Sequence, residues 1–209
     1  MCERFAIGGG VREAALAAYE RCEALEYPAQ RVTQLNVLEA FLAEGIAESD
    51  LAGTTGYGYD DAARERYEAL LARVLGAQRA LARLSIVSGT HAIVAALAAC
   101  TPPSRTLLSI SGAPYDTLRN AICAAPYSLV SHGVEYAELP LAADGGIDLD
   151  AVARTLESAT VSGVFIQRSR GYAPRRALSV AECERAYRLV KEKAPEAIVL
   201  VDNCYGELV

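Results

Sequence analysis

Apolar positions along the chain follow two rhythms. Over the first fifty residues an Ala/Glu-rich stretch carries Leu16 and Tyr19 and, after Pro28, Val32, Leu35, Leu38 and Leu42 at helical intervals. The segment "AGTTGYGYDD" then interrupts with glycines and threonines. Tyr67, Leu70, Leu71, Val74 and Leu75 resume at i, i+3, i+4, i+7 and i+8, the spacing of a buried helical stripe. Gly76 follows where a left-handed cap residue belongs.

Beyond this point short apolar runs alternate with amphipathic stretches. "ALARLSIV" reads as a strand and "THAIVAALAAC" as a helix, then "TLLSIS" as a strand and "YDTLRNAIC" as a helix. "GVEYAELP" and "IDLDAVARTLE" repeat the pair, and "VSGVFIQRS", "SVAECERAYRLVKEKA" and "AIVLVD" complete it. The last helix opens on a capping box, Ser179 with Glu182, and closes at Pro195. The run before Asp202 has the small and β-branched composition of a strand buried on both faces. This order of elements predicts an α/β fold, a mostly parallel sheet between helices.

Composition narrows the classes. Of the 209 residues 52% are hydrophobic, enough for a sizeable core, and the formal net charge of −6 argues against a broad nucleic-acid footprint. The longest apolar run, from Ala92, is too short for a membrane span, and the N-terminus lacks the apolar core of a signal peptide. Six scattered cysteines without a C-x-x-C pair read as thiols of a reducing compartment, so the expected location is cytoplasmic. His91 and His132 show no zinc-ligand spacing with them, and no metal site is expected.

Four places carry candidate chemistry. In "SGTHA", Gly89 permits close backbone approach, a helix begins, and Ser88 and Thr90 add hydroxyls: either a phosphate cradle or a plain capped turn. His91 beside them reads as packing or a local hydrogen bond. In "SGAPYDTL", Tyr115 follows a strand end, where an aromatic can lie on a planar ring; a core tyrosine with Asp116 or Thr117 capping is the alternative. Asp202 stands at the carboxyl end of a strand, where α/β proteins place ligands. Its carboxylate needs a positive partner, either Arg168 or Arg170 in a structural pair or a protonated ring nitrogen. In "TTGYGYDD", Tyr57 and Tyr59 stand among glycines, as a ligand loop or an exposed turn. A phosphate cradle, a stacking aromatic and a strand-end carboxylate, in that order, together fit pyridoxal phosphate (PLP). A nucleotide-binding α/β domain is the alternative without PLP, weakened by the absence of a glycine-rich nucleotide motif.

The segments "TTGYGYDD", "IVSGTHAI", "PYDTL", "IQRSRGY" and "VDNCYGE" resemble the methionine gamma-lyase-related family often labelled aluminium resistance protein, a branch of fold-type I PLP enzymes. The likeness runs from about Thr54 to the end, and more weakly through the N-terminal helices. Leu84 and Ser85 replace a proline and a glutamine usual there, and the stretch near Pro126 is shorter than the family's. The resemblance implies that Ser88, Gly89 and Thr90 hold the cofactor phosphate, that Tyr115 stacks on the ring and that Asp202 pairs with its nitrogen. Tyr57 and Tyr59 would reach the phosphate of a neighbouring subunit, so a homodimer or homotetramer is implied. His91, Asp116, Gln167, Arg168, Arg170 and Asn203 would line or brace the site. The implied reaction is β- or γ-elimination on a sulfur-containing amino acid, with transamination as an alternative.

PLP chemistry also needs a Schiff-base lysine. The only lysines, Lys191 and Lys193, close an amphipathic helix ahead of the Asp202 strand, where the helix dipole and solvent account for them. In the family the lysine follows the aspartate. The expectation is therefore a helical arm over 1–53 and the N-terminal part of a PLP-binding large domain over 54–209, truncated before the lysine strand. The C-terminal part and small domain would be absent, and the chain inactive alone. A lysine-less half-domain that binds a cofactor or partner is the alternative.

Overall fold

The computed structural model describes residues 8–23, 28–52 and 62–206. The chain divides into two compact units, one drawn from Met1–Leu81 and one from Ala82–Glu207.

The first unit is helical: α1 (Gly9–Glu23), α2 (Pro28–Ala43), α3 (Glu48–Leu51) and α4 (Ala62–Val74). Helix α4 stops as its sequence predicts. Gly76 takes a φ of 61°, its N–H donates to Arg73 O at 3.2 Å, and Ala77 N–H donates to Ala72 O at 2.8 Å. Those two bonds satisfy carbonyls that the last turn leaves open. Helices α2 and α4 pack together, and Ala40 and Leu70 are buried. The expected stripe is narrower than its periodicity suggests, because Tyr67 and Leu75 are each about half exposed. Arg73 pairs with Glu44, and Arg66 with Asp50 at 2.8 Å.

The second unit is an α/β sandwich. Its elements are α5 (Gly89–Cys100), β1 (Thr106–Ser109), α6 (Asp116–Cys123), β2 (Glu135–Glu138), α7 (Leu149–Ser158), β3 (Val161–Gln167), α8 (Val180–Lys193) and β4 (Ile198–Asp202). The four strands are parallel throughout, in the order β2-β1-β3-β4. Successive side chains of a strand point to opposite faces, and the core follows that alternation. Leu108, Ile110, Val164 and Ile166 pack with Val152 and Leu156 of α7 and with Cys183, Ala186 and Val190 of α8. Leu107 and Phe165 pack on the other side with Leu97 of α5 and with Leu118 and Ile122 of α6. Full burial of each such leucine or phenylalanine contributes about 1.5–3 kcal/mol. The Ser179–Glu182 capping box opens α8 as predicted, with Ser179 N–H donating to Glu182 Oε2 at 2.8 Å.

Two expectations are corrected. "ALARLSIV" forms no strand: Leu81, Leu84 and Val87 are largely exposed, and Ile86 N–H closes a turn on Arg83 O. An apolar run becomes a strand only beside a ladder partner, and this one has none among the described residues. Strand β4 is not fully buried either. It pairs with β3 alone and forms the edge of the sheet, leaving Ile198 and Val201 nearly half exposed.

Candidate functional site

The chain leaves the carboxyl ends of β1 and β3 toward opposite faces of the sheet. Helix α6, after β1, belongs to the layer of Leu107 and Phe165, whereas α8, after β3, belongs to the layer of Leu108 and Ile166. Strand order reverses between these neighbours, since β2 lies on one side of β1 and β3 on the other. Open α/β sheets hold their ligands in the crevice outside such a switch point.

Three predicted residues meet there. Gln167 ends β3 and is 3% exposed, and its Oε1 accepts the Tyr115 N–H at 3.0 Å. The Gln167 N–H donates to Ser111 Oγ, just past β1, at 2.7 Å. The hydroxyl of Tyr115 lies 3.0 Å from Thr90 Oγ1. One hydrogen-bonded chain thus runs from the start of α5 through Tyr115 to the end of β3. Tyr115 is the N-cap residue of α6, but no side chain caps that helix; Asp116, its first residue, is exposed. The capping alternative for Asp116 or Thr117 does not describe this turn.

The start of α5 is a built helix terminus. Ser88 caps it, accepting the His91 N–H at 3.1 Å, and this leaves the Ser88 hydroxyl proton free to donate. No preceding turn supplies carbonyls for the N–H groups of Gly89 and Thr90. Among the described residues a Cβ on Gly89 would meet nothing within 4 Å. His91 is exposed, and its Nδ1 faces the Val87 N–H at 3.4 Å, a local contact.

Asp202 ends β4 in register with Gln167, one strand across. The structure separates it from both arginines proposed as structural partners. Arg168 donates from Nε to Leu178 O at 3.2 Å and from Nη1 to Asn203 Oδ1, while its N–H meets Asp202 O, the main-chain carbonyl. Arg170 is exposed in the following turn. The Asp202 carboxylate instead accepts from Cys204, whose N–H and Sγ both donate to Oδ1, at 3.0 and 3.2 Å. Cys204 reaches this position with a φ of 58°, and burial pushes its thiol up from the usual value of 9.0. Among the described residues no lysine or arginine pairs with the half-buried Asp202 side chain.

Arg175, which sequence reasoning passed over, braces the turn after β3. Its Nη2 donates to Gln167 O at 3.1 Å and to Ser169 O at 2.6 Å, and burial lowers its pKa. The "PRR" run offers no signal for that role, because the contact depends on the turn folding back. Neither lysine is near this chemistry. Lys191 Nζ donates to the carbonyls of Pro195 and Ala197, and Lys193 Nζ pairs with Glu157 at 2.7 Å. Tyr57 and Tyr59 lie outside the described residues.

The described residues thus form an α/β unit with a parallel sheet, and a helix start, an aromatic and a carboxylate stand at the carboxyl ends of its strands. A family model described as Methionine gamma-lyase matches residues 11–209. The chain belongs to that family. It is 40% identical over 177 residues to the protein YnbB of Bacillus subtilis (strain 168), covering 83% of this chain and 42% of YnbB. A solved structure named a carbon-sulfur lyase involved in aluminum resistance, from Clostridium novyi NT, is 34% identical with a TM-score of 0.89; the match covers 99% of this chain and 51% of that one. A Bacillus cereus protein of known structure is 36% identical with a TM-score of 0.82, over 95% of this chain and 48% of its own. The chain spans about half the length of these relatives.

Proposed function

We propose that this chain supplies the cofactor-holding crevice of a PLP-dependent carbon–sulfur lyase of fold type I. The observation that carries the reading is the Asp202 carboxylate: half-buried at a strand end, without a cation among the described residues, and one strand from the contact between Gln167 and Tyr115. A carboxylate so placed suits a cationic ring nitrogen, and the two donors of Cys204 on Oδ1 leave Oδ2 to receive it. The N–H groups of Gly89 and Thr90, without a partner among the described residues, suit a phosphate dianion together with the Ser88 and Thr90 hydroxyls and the positive end of the α5 dipole. Tyr115 would cover a ring held between those two ends. Bound PLP supplies an electron sink for the α-carbon of an amino acid, which allows a β- or γ-thiol group to leave.

The chain's own groups then have separate tasks. Asp202 keeps the ring nitrogen protonated, and the start of α5 anchors and orients the phosphate. Thr90 holds the Tyr115 hydroxyl and so limits the tilt of the aromatic face. Lys191 and Lys193 are engaged at the far end of α8, so the reading places the required lysine outside these 209 residues and expects no turnover from them alone. A second subunit completing the site through Tyr57 or Tyr59 belongs to the same proposal, as does a cytoplasmic location.

The test is Asp202→Asn in the complete polypeptide, assayed by thiol release from cystathionine or methionine with saturating PLP. Loss of the charge should lower turnover by about two orders of magnitude or more, the usual scale for removing a group that stabilises developing charge. Unchanged turnover would overturn the ring-nitrogen role and with it the reading.

A further inference from the structure

We propose that Gln167 is a positioning residue that sets the plane of Tyr115 and ties it to the turn after β3. This rests on the reading of the crevice as a PLP site. Every polar group of Gln167 is engaged. Oε1 accepts the Tyr115 N–H at 3.0 Å, Nε2 donates to Ser169 O at 3.1 Å, the main-chain N–H donates to Ser111 Oγ at 2.7 Å, and the main-chain carbonyl accepts from Arg175 Nη2 at 3.1 Å. The orientation of the amide follows from its partners, because a backbone N–H only donates and a carbonyl only accepts.

Tyr115 is thereby held at both ends, its backbone by Gln167 and its hydroxyl by Thr90. The turn closes over the same pair of residues. At Gly171, with a φ of 57°, a Cβ would stand 3.4 Å from Gln167 Nε2 and 3.8 Å from Tyr115 Cβ. A stacking ring works only within about 10–20° of its productive plane, so a tether at one end alone is insufficient. A primary amide of this length accepts from Tyr115 and donates to Ser169 together. Leucine offers neither bond, and an ionised glutamate loses the donor.

A merely structural glutamine would satisfy the same N–H, and a double-mutant cycle in the complete polypeptide separates the two roles. The readout is the PLP dissociation constant from absorbance titration, for wild type, Gln167→Leu, Tyr115→Ala and the double variant. Gln167→Leu should weaken PLP binding about tenfold in the wild-type background and less than about twofold once Tyr115 is alanine, a coupling of the size found between residues in contact. An equal loss in both backgrounds, or no loss in the first, overturns the proposal.

Gln167→Glu is the companion if the leucine variant does not fold. Burial raises a carboxyl's pKa, and the protonated acid restores the donor to Ser169 O. Its PLP affinity relative to wild type should therefore recover as pH falls, and a flat ratio counts against the proposal. Hydrogen exchange at the Tyr115 amide needs no cofactor and should quicken at least tenfold in Gln167→Leu relative to wild type, in the manner of a released buried donor. A wild type that takes up no PLP, together with faster exchange in Gln167→Leu, would remove the cofactor reading and leave the Gln167–Tyr115 tether standing. Unchanged exchange would remove the tether itself.

Discussion

Gly163 of β3 lies under the carboxyl end of α5, and adding one methyl there tests how that helix is seated. A Cβ at Gly163 would overlap Thr101 Oγ1, stand 3.3 Å from Leu107 Cδ1 and 3.5 Å from Thr101 Cβ. Thr101 is the C-cap residue of α5 and is 1% exposed, so it has no solvent to move into. The strand is already irregular here: Thr106 pairs with Val161 but Leu107 pairs with Gly163, so Ser162 is passed over in the register. Overpacking a filled core costs about 1–3 kcal/mol. At about 2 kcal/mol the loss in Tm is roughly 4–8 °C for a protein of this length. Gly163→Ala should show that loss in urea and thermal unfolding. Thr101→Ala in the same molecule should return at least about 1 kcal/mol, because the clashing hydroxyl is gone. A Gly163→Ala variant as stable as wild type, or one that Thr101→Ala does not rescue, would refute the claim that this contact sets the seat of α5 on the sheet.

Other expectations follow from single contacts. Thr101 Oγ1 is buried without a hydrogen-bond partner among the described residues, so Thr101→Val should raise stability by about 1 kcal/mol in urea unfolding. Gly76→Ala keeps open space around the new methyl but imposes a left-handed φ on it, and should cost about 1 kcal/mol. Glu182 is held well below the ordinary glutamate value of 4.5 by Arg176 first and by Ser179 second. A depressed carboxylate stabilises the fold above its unfolded pKa, and that contribution is lost as pH falls below about 4.5 toward the depressed folded value. Glu182→Gln should therefore flatten the acid limb of a stability-versus-pH curve, while the glutamine oxygen still accepts the Ser179 N–H and keeps the capping box. Arg175→Ala frees two carbonyls and should speed backbone exchange in the turn after β3, while Arg170→Ala, exposed in that turn, leaves it unchanged.

The helices and four sheet strands were legible because each rests on local information. The Ser179–Glu182 box, the glycine after Leu75 and the apolar runs ending at Ser109, Gln167 and Asp202 need no distant partner to be recognised. The positions of Ser88, Gly89 and Thr90 at a helix start, of Tyr115 before α6 and of Asp202 at a strand end were legible for a related reason, since caps and strand ends are marked locally. The misreadings share the opposite cause. "ALARLSIV" has the composition of a strand and lacks a neighbour to pair with, and β4 has the composition of an inner strand and lies at an edge.

What the sequence alone determined is thus most of the elements, their order and the residue types at their ends, all written in periodicity and caps. The tertiary structure decided which of those ends meet. Parallel pairing of β1 with β3 brings Ser111 and Tyr115 to Gln167, residues 56 and 52 positions apart, and the fold of the turn after β3 delivers Arg175 to its carbonyls. It also decided that Arg168 binds Asn203 and leaves the Asp202 carboxylate to Cys204. Side-chain partnership depends on register and on turns closing in space. Neither leaves a periodic trace along the chain.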